Sequence, residues 1–208
     1  KDQKTDYVWQ TSWGLSTRSL GGLFLTQGDD DGLIMPPKIA PIKIVIILIL
    51  GKEEEKVLGL GKKIKEDIEV CASAFPGQVE IWDNPEKTAG WKINQAEIKG
   101  VPLTITIGLK EVSDTKSIQI QSRLDKTKTI VALDMLAATV EKQLHTIQKH
   151  LYEKAKKFLD NNTHTPKNYD EFKKIMQTTR GFLWALWCEE ANCEKKIKEE
   201  TKATTRCL

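Results

Sequence analysis

The chain has 208 residues, with 32 Lys and Arg against 29 Asp and Glu, for a formal net charge of +3. That length holds one or two domains with cores of their own, and so small a charge excess names no polyanionic partner, though it leaves room for local basic patches. Of four cysteines, Cys188, Cys193 and Cys207 lie near the C-terminus, which excludes a disulfide framework and points to a reducing, cytoplasmic setting or to a metal site.

The first zone is 1–38. Tyr7-Val8-Trp9 reads as a strand that enters the small-residue turn Gln10-Thr11-Ser12-Trp13-Gly14-Leu15-Ser16-Thr17 and ends on Arg18. A turn of this kind lets backbone and hydroxyl groups approach a small polar ligand. A helix is expected over 16–26, and Pro36-Pro37 marks a boundary because it continues neither a helix nor a central strand. The apolar run 42–50, broken by Lys43, is too short to span a bilayer and reads as a strand buried on both faces. No signal peptide opens the chain, and no membrane partner is expected. Residues 52–69 carry Val57, Leu58, Leu60, Ile64 and Ile68 at roughly helical spacing. Within them Gly59-Leu60-Gly61-Lys62 lacks the glycine spacing of a phosphate loop and the hydroxyl residue after lysine, so helix is the better reading.

A short strand follows over 78–82, then a short helix or turn over 90–99 stopped by Gly100. Residues 101–107 and 117–122 alternate as strands with one exposed face, joined by a tight turn at Asp114 and Thr115, and 128–132 is a third strand. The longest helix is marked by Leu133, Leu136, Ala137, Val140, Leu144, Ile147, Leu151, Ala155 and Phe158, and it ends at Asn161-Asn162. The order predicts an α/β fold with a mixed five-stranded sheet and helices packed on it. From Thr163 onward a small charged segment carries the cysteines and reads as an α+β extension. His145, His150 and His164 are not at metal-ligand spacing. The chain opens at Lys1 just before a strand, and Thr205-Arg206-Cys207-Leu208 looks cut, so it reads as a piece of a longer protein.

The stretch from Tyr7 to Arg18, followed by Gly28-Asp29-Asp30-Asp31-Gly32-Leu33-Ile34-Met35-Pro36-Pro37-Lys38-Ile39-Ala40-Pro41, closely resembles the last active-site motif of prolyl-tRNA synthetases, which are class II aminoacyl-tRNA synthetases. The resemblance continues in order. Gly90-Trp91-Lys92-Ile93-Asn94-Gln95-Ala96-Glu97-Ile98-Lys99-Gly100-Val101-Pro102-Leu103 is similar to the family's helix and strand around the anticodon site. Gly181-Phe182-Leu183-Trp184-Ala185-Leu186-Trp187-Cys188, then Cys193, then Ala203-Thr204-Thr205-Arg206-Cys207, is similar to its C-terminal extension. The implied domains are the end of a catalytic domain (1–38), an anticodon-binding domain (39–160) and a truncated zinc-binding-like extension (161–208). Some positions depart from the family pattern: Gln27 stands where His is usual, Trp82-Asp83-Asn84 replaces an acidic-acidic-arginine run, Thr104 and Thr106 replace Arg and Glu, and Leu109 stands where the family often has Pro. These departures bear on the details of anticodon contact more than on the fold.

The resemblance implies roles residue by residue. Arg18 would stack on the adenine of ATP and reach the γ-phosphate, a task suited to a flat, permanently charged guanidinium. Ser16 would contact the same nucleotide, or else only cap the helix. Ser12, Trp13 and Gly14 would line a proline pocket, or else form a core tryptophan beside a turn glycine. Lys92, Glu97, Lys99, Lys110 and Arg123 offer the cationic and carboxylate chemistry that reads guanine, since proline anticodons carry guanine at two positions; the alternative is a solvated charged face. Cys188 and Cys193, separated by four residues, suit half of a zinc site whose remaining ligands the family places beyond Leu208, and Cys207 reads as an ordinary buried cysteine, the alternative being a third ligand at a position the family does not clearly use. The function so implied is ATP-dependent attachment of proline to its tRNA, with Mg2+ accompanying ATP on ligands outside this chain, by a cytoplasmic homodimer. Class II motifs 1 and 2 would lie before Lys1, so this piece alone is expected to be inactive. The rival readings are a non-catalytic paralogue that reuses the fold to bind tRNA or a protein partner, and a purely structural or dimerising role for 163–208.

Overall fold

The computed structural model describes residues 8, 10–51, 53–71, 78–113 and 117–206, with residues 71 and 78 described by their backbone. Tyr7, Trp9, Asp114, Thr115 and Cys207, each singled out above, lie outside the described residues. The chain forms two compact units, Lys1–Lys149 and His150–Leu208. No helix among the described residues is long and apolar enough to cross a membrane.

In the first unit, α1 (Arg18–Gln27) precedes an alternating series: β1 (Ile42–Leu48), α2 (Glu54–Cys71), β2 (Gln78–Trp82), α3 (Ala89–Lys99) and β3 (Leu103–Ile107). A short helix α4 (Leu109–Ser113), the strands β4 (Ser117–Ser122) and β5 (Lys128–Ala132), a single 3₁₀ turn (Leu133–Met135) and α5 (Leu136–Asn161) follow. The five strands form one mixed sheet in the order β2-β1-β3-β4-β5. β1 runs parallel to both neighbours, with Ile46 opposite Ile81 on one side and Ile105 on the other. β4 and β5 add antiparallel strands at the far edge.

β1 sits inside the sheet with α2 and α3 packed against it, which is why residues Lys43 through Leu48, most of them β-branched, are buried. The ammonium of Lys43 is retained there by donating to the Ala40 carbonyl at 2.9 Å. α2 lays Val57, Ile64 and Ile68 into the core at helical spacing, and each is fully buried. Residues 59–62 all lie within this helix, and Gly61 lets it pack close to β1, since a Cβ there would lie 2.9 Å from the Leu48 side chain. The phosphate-loop alternative for 59–62 therefore falls away. α5 contributes Leu136, Val140, Leu144 and Ile147 to the core of the first unit's side of the chain. Burial of each such side chain stabilises the fold by roughly 1.5–3 kcal/mol.

The strand expected at 7–9 falls on residues of which only Val8 is described, and residues 10–16 form no helix or strand, as expected of a turn. β3 is buried on both faces instead of alternating, because it lies in the middle of the sheet with β1 and β4 beside it. The β3–β4 connection begins with α4, where Glu111 accepts from the Gly108 amide at 2.8 Å and stabilises the entry to that helical turn; the turn expected at Asp114 and Thr115 lies outside the described residues.

The second unit contains the end of α5, a two-stranded parallel pairing of β6 (Thr163–His164) with β7 (Phe182–Leu183), and the helices α6 (Tyr169–Gln177) and α7 (Ala191–Thr201). Asn168 caps α6 by accepting from the Glu171 amide, while the Glu171 carboxylate accepts from the Lys167 amide. Glu200 of α7 accepts from the Tyr169 hydroxyl at 3.1 Å and faces Lys173 at 3.8 Å, tying the two helices together. The segment is thus the small α+β unit that its composition predicts.

Candidate functional site

A cavity of about 220 Å³ opens at the carboxyl end of β2 and the amino end of α3, lined by Ile81, Trp82, Asp83, Asn84, Lys87, Trp91 and Lys92. Its shape follows from local chemistry. β2 ends at Trp82, and the Asn84 side chain then accepts from the Glu86 amide at 2.8 Å, bending the chain. Thr88 caps α3 by accepting from the Trp91 amide at 3.2 Å. The cap sets Lys87 and Trp91 at the mouth, with the Lys87 ammonium 5.0 Å from the centre of the Trp91 ring. On the other side Lys99 lies 5.0 Å from the centre of the Trp82 ring, whose Nε1 donates to Glu80 at 2.9 Å. Two indole rings, each with a lysine above it, offer flat apolar faces beside positive charge. That is the chemistry that holds unstacked bases and their phosphates.

Lys92 is turned inward, against the expectation of a solvent-facing cation. It is 3% exposed, and its Nζ donates to the Leu48 carbonyl at 2.9 Å. Burial pushes its pKa below the ordinary lysine value, and the charge of Asp83 opposes that shift in part. Lys92 therefore forms the floor of the cavity and anchors α3 to the end of β1.

Arg123 is corrected in the same sense. It is buried, with Nη1 and Nη2 on the two carboxylate oxygens of Asp29 at 2.9 and 2.5 Å, and its Nε on the Glu97 carbonyl at 3.2 Å. The guanidinium holds the Asp29 carboxyl well below the usual range, at about 2. Glu97 is half-buried, its side chain accepting from Gln121 at 3.5 Å. Lys99 is exposed beside the Trp82 ring, and Lys110 is exposed on α4. Of the five residues proposed to read bases, Lys92 alone lines this cavity, and Lys99 adjoins it through the Trp82 ring.

Reasoning from the sequence passed over Trp82, Lys87 and Trp91. The available signal was an aromatic residue at the strand end and a lysine four residues before a second aromatic across a helix cap.

Ser12, Trp13, Gly14, Ser16 and Arg18 are all exposed, and Trp13 is 94% exposed. Arg18 is the first residue of α1, and Thr17 at its N-cap makes no side-chain capping bond. Ser16 does not cap the helix through its side chain either; its carbonyl accepts from the Ser19 amide at 3.0 Å. Trp13 is not a core tryptophan. The described residues alone do not enclose these five side chains.

Cys188 and Cys193 are free, exposed and within hydrogen-bond reach of one another, an arrangement that lowers the Cys188 thiol and raises that of Cys193. Among the described residues no group of three or more His, Cys, Asp or Glu is placed to hold a metal. Two thiols provide half of a tetrahedral set, so the residues present do not make up a zinc site.

Comparison with known proteins agrees with this geometry. Residues 43–143 match the family described as anticodon binding domain, and residues 169–208 match prolyl-tRNA synthetase, C-terminal. The chain is 40% identical over 205 residues to proline--tRNA ligase 2 of Bacillus cereus (strain ZK / E33L), a span of 99% of this chain and 41% of that protein. It is 36% identical over 211 residues to proline--tRNA ligase of Lachnospira eligens, covering 42% of it. Among solved structures, prolyl-tRNA synthetase from Cryptosporidium parvum, complexed with halofuginone and AMPPNP, superposes with a TM-score of 0.75 at 30% identity, over 91% of this chain and 38% of that one.

The mixed sheet with its cavity at the head of α3 is thus the anticodon-binding domain of an aminoacyl-tRNA synthetase. Within that class the chain belongs to the prolyl-tRNA synthetases, of which it carries the C-terminal region. It spans about two-fifths of the length of the curated relatives it matches.

Proposed function

We propose that the whole protein is an ATP-dependent proline–tRNA ligase. The proline carboxylate attacks the α-phosphate of ATP, giving prolyl-adenylate and pyrophosphate. The terminal ribose hydroxyl of the tRNA then takes the prolyl group and releases AMP. Such chemistry is driven by positioning and charge neutralisation, so no residue of this chain need act as a general base. Arg18 and Ser16 hold the nucleotide, and Ser12, Trp13 and Gly14 face the imino acid. The open placement of these five side chains suits a wall of a pocket completed by parts of the protein outside this chain. Mg2+ accompanies ATP on ligands outside this chain, a zinc site would need further ligands for Cys188 and Cys193, and the working form is a cytoplasmic homodimer.

The observation that carries the reading is the Trp82–Trp91 cavity, with Lys87 and Lys99 over its rings, inside the matched anticodon-binding domain. There the indoles stack anticodon bases, while Lys99 and Glu97 offer a cation and a carboxylate to guanine edges. Charging of tRNA transcripts by the full-length protein tests this. Replacing either anticodon guanine should lower kcat/KM by about tenfold or more, as loss of a good base contact does. Equal charging of native and substituted transcripts would overturn the reading.

A second reading, a non-catalytic tRNA-binding paralogue, is motivated by Thr104 and Thr106, which put uncharged side chains on β3 where the family usually has Arg and Glu. Full-length protein that binds the tRNA yet fails to form prolyl-adenylate would favour it.

A further inference from the structure

The acidic loop after α1 is fastened to the anticodon element by a dense set of bonds. The Asp29 carboxylate takes both terminal nitrogens of Arg123, and Arg123 Nε reaches the Glu97 carbonyl, one of the last carbonyls of α3. A buried cation at a helix C-terminus is also favoured by the helix dipole. Beside it Lys126 pairs with Asp31 at 2.5 Å. The backbone joins in, with the Leu33 amide donating to the Ile98 carbonyl and the Met35 amide to the Gly100 carbonyl, both at 3.2 Å. Gly32, at φ +136°, lets the loop press so close that a Cβ there would sit 2.5 Å from the Ile98 Cα. Gly100, at φ +71°, does the same against Leu33, where a Cβ would come within 2.7 Å.

Seen along the chain, these contacts form one continuous mechanical path. Trp91 and Lys87 stand at the head of α3 and Glu97 to Gly100 at its foot. Arg123 bridges the foot to Asp29. Asp29 adjoins Gly28, whose amide closes α1 on the Phe24 carbonyl at 2.9 Å, and Arg18 opens α1 at its other end. Between the two helices stands a buried guanidinium that donates from each of its three nitrogens, a geometry that holds its partners in one arrangement.

We propose that Arg123 is a positioning residue, contacting neither base nor nucleotide, that fixes the segment bearing Arg18 relative to the anticodon cavity and so couples a correctly seated tRNA to the charging step. This rests on the synthetase reading above. Its selectivity signature is a split between kcat and KM. A guanidinium that touched bases would act on tRNA binding, whereas one that sets the register between two sites acts on turnover.

The test uses the full-length protein with Arg123→Ala, Arg123→Lys, Asp29→Asn and the Arg123→Ala/Asp29→Asn pair, at a temperature where circular dichroism shows each folded. Both Arg123→Ala and Asp29→Asn should lower kcat for tRNA charging by about tenfold while KM for tRNA stays within about twofold, and the pair should be no worse than either alone. Arg123→Lys keeps the charge without the fork and should regain part of the loss. Should Arg123→Ala not fold, Asp29→Asn decides the matter alone, since the Asp29 side chain is 39% exposed and its loop keeps its backbone bonds. A raised KM with kcat intact, or an Asp29→Asn protein indistinguishable from wild type, would overturn the proposal and leave the synthetase reading standing. Wild-type protein without proline-dependent pyrophosphate exchange would overturn both.

Discussion

Arg123 and Asp29, 94 residues apart, form a two-pronged ion pair in which the arginine is buried and the aspartate keeps one edge in solvent. Asp29 titrates near 2 in the folded chain, below its ordinary value of 3.8, chiefly because Arg123 donates to it. A lowered carboxyl pKa means that the unfolded chain binds the proton more readily. The stability it contributes is therefore fully present above 3.8 and is lost as pH falls toward 2. Asp29→Asn should cost about 1–2 kcal/mol at neutral pH, discounted for the exposed edge, and the gap to wild type should start to narrow below the ordinary 3.8 and close only as pH falls through about 2. Denaturant unfolding of the two proteins between pH 2 and 6 measures it.

Lys92 carries the opposite consequence. Its pKa is depressed by burial, so on raising the pH the folded chain releases the proton before the unfolded chain does. Over the interval just below the ordinary 10.5, the unfolded state holds more protons, and stability rises with pH. Wild type should thus gain on Lys92→Met as alkaline pH is approached, a trend that urea unfolding at a series of pH values will show. At neutral pH the loss of the bond to the Leu48 carbonyl should make Lys92→Met less stable by about 1 kcal/mol.

Gly32→Ala should destabilise the chain by at least about 2 kcal/mol, because φ of +136° strains an L-residue and its Cβ would meet the Ile98 backbone. Gly14→Ala, which meets nothing within 4 Å, should be close to neutral by the same thermal unfolding measurement.

Trp91→Ala in the full-length protein should weaken tRNA binding by about tenfold, in the range expected for one lost base–aromatic stack. Thermal stability should change little, since the ring is 46% exposed. Filter binding with labelled transcript gives the affinity.

Much of the fold is written in local patterns. The β-branched run of β1, the helical spacing of Val57, Ile64 and Ile68, and the stripe along α5 each declare their element without help from the rest of the chain. β3 misled because alternation describes a strand with one wet face, and its neighbours on both sides remove that face. The candidate site was less legible for a physical reason. Residue type states what Lys92 and Arg123 carry but not which way they point, and their partners, Leu48 and Asp29, lie 44 and 94 residues away. The Trp82–Trp91 cavity likewise depends on a cap at Thr88 that brings a strand end and a helix start together. Arg18 is the reverse case: its motif was plain in the sequence, while its side chain stands open in this chain.

The most direct measurement is proline-dependent exchange of pyrophosphate into ATP by the full-length protein and its Arg18→Ala variant, without tRNA. Wild type should exchange with proline and with no other standard amino acid at comparable rate, and Arg18→Ala should fall by about 100-fold or more while binding tRNA as before. Exchange that is absent in wild type, or equal in the two proteins, would contradict the assignment of this chain's first segment to the nucleotide site.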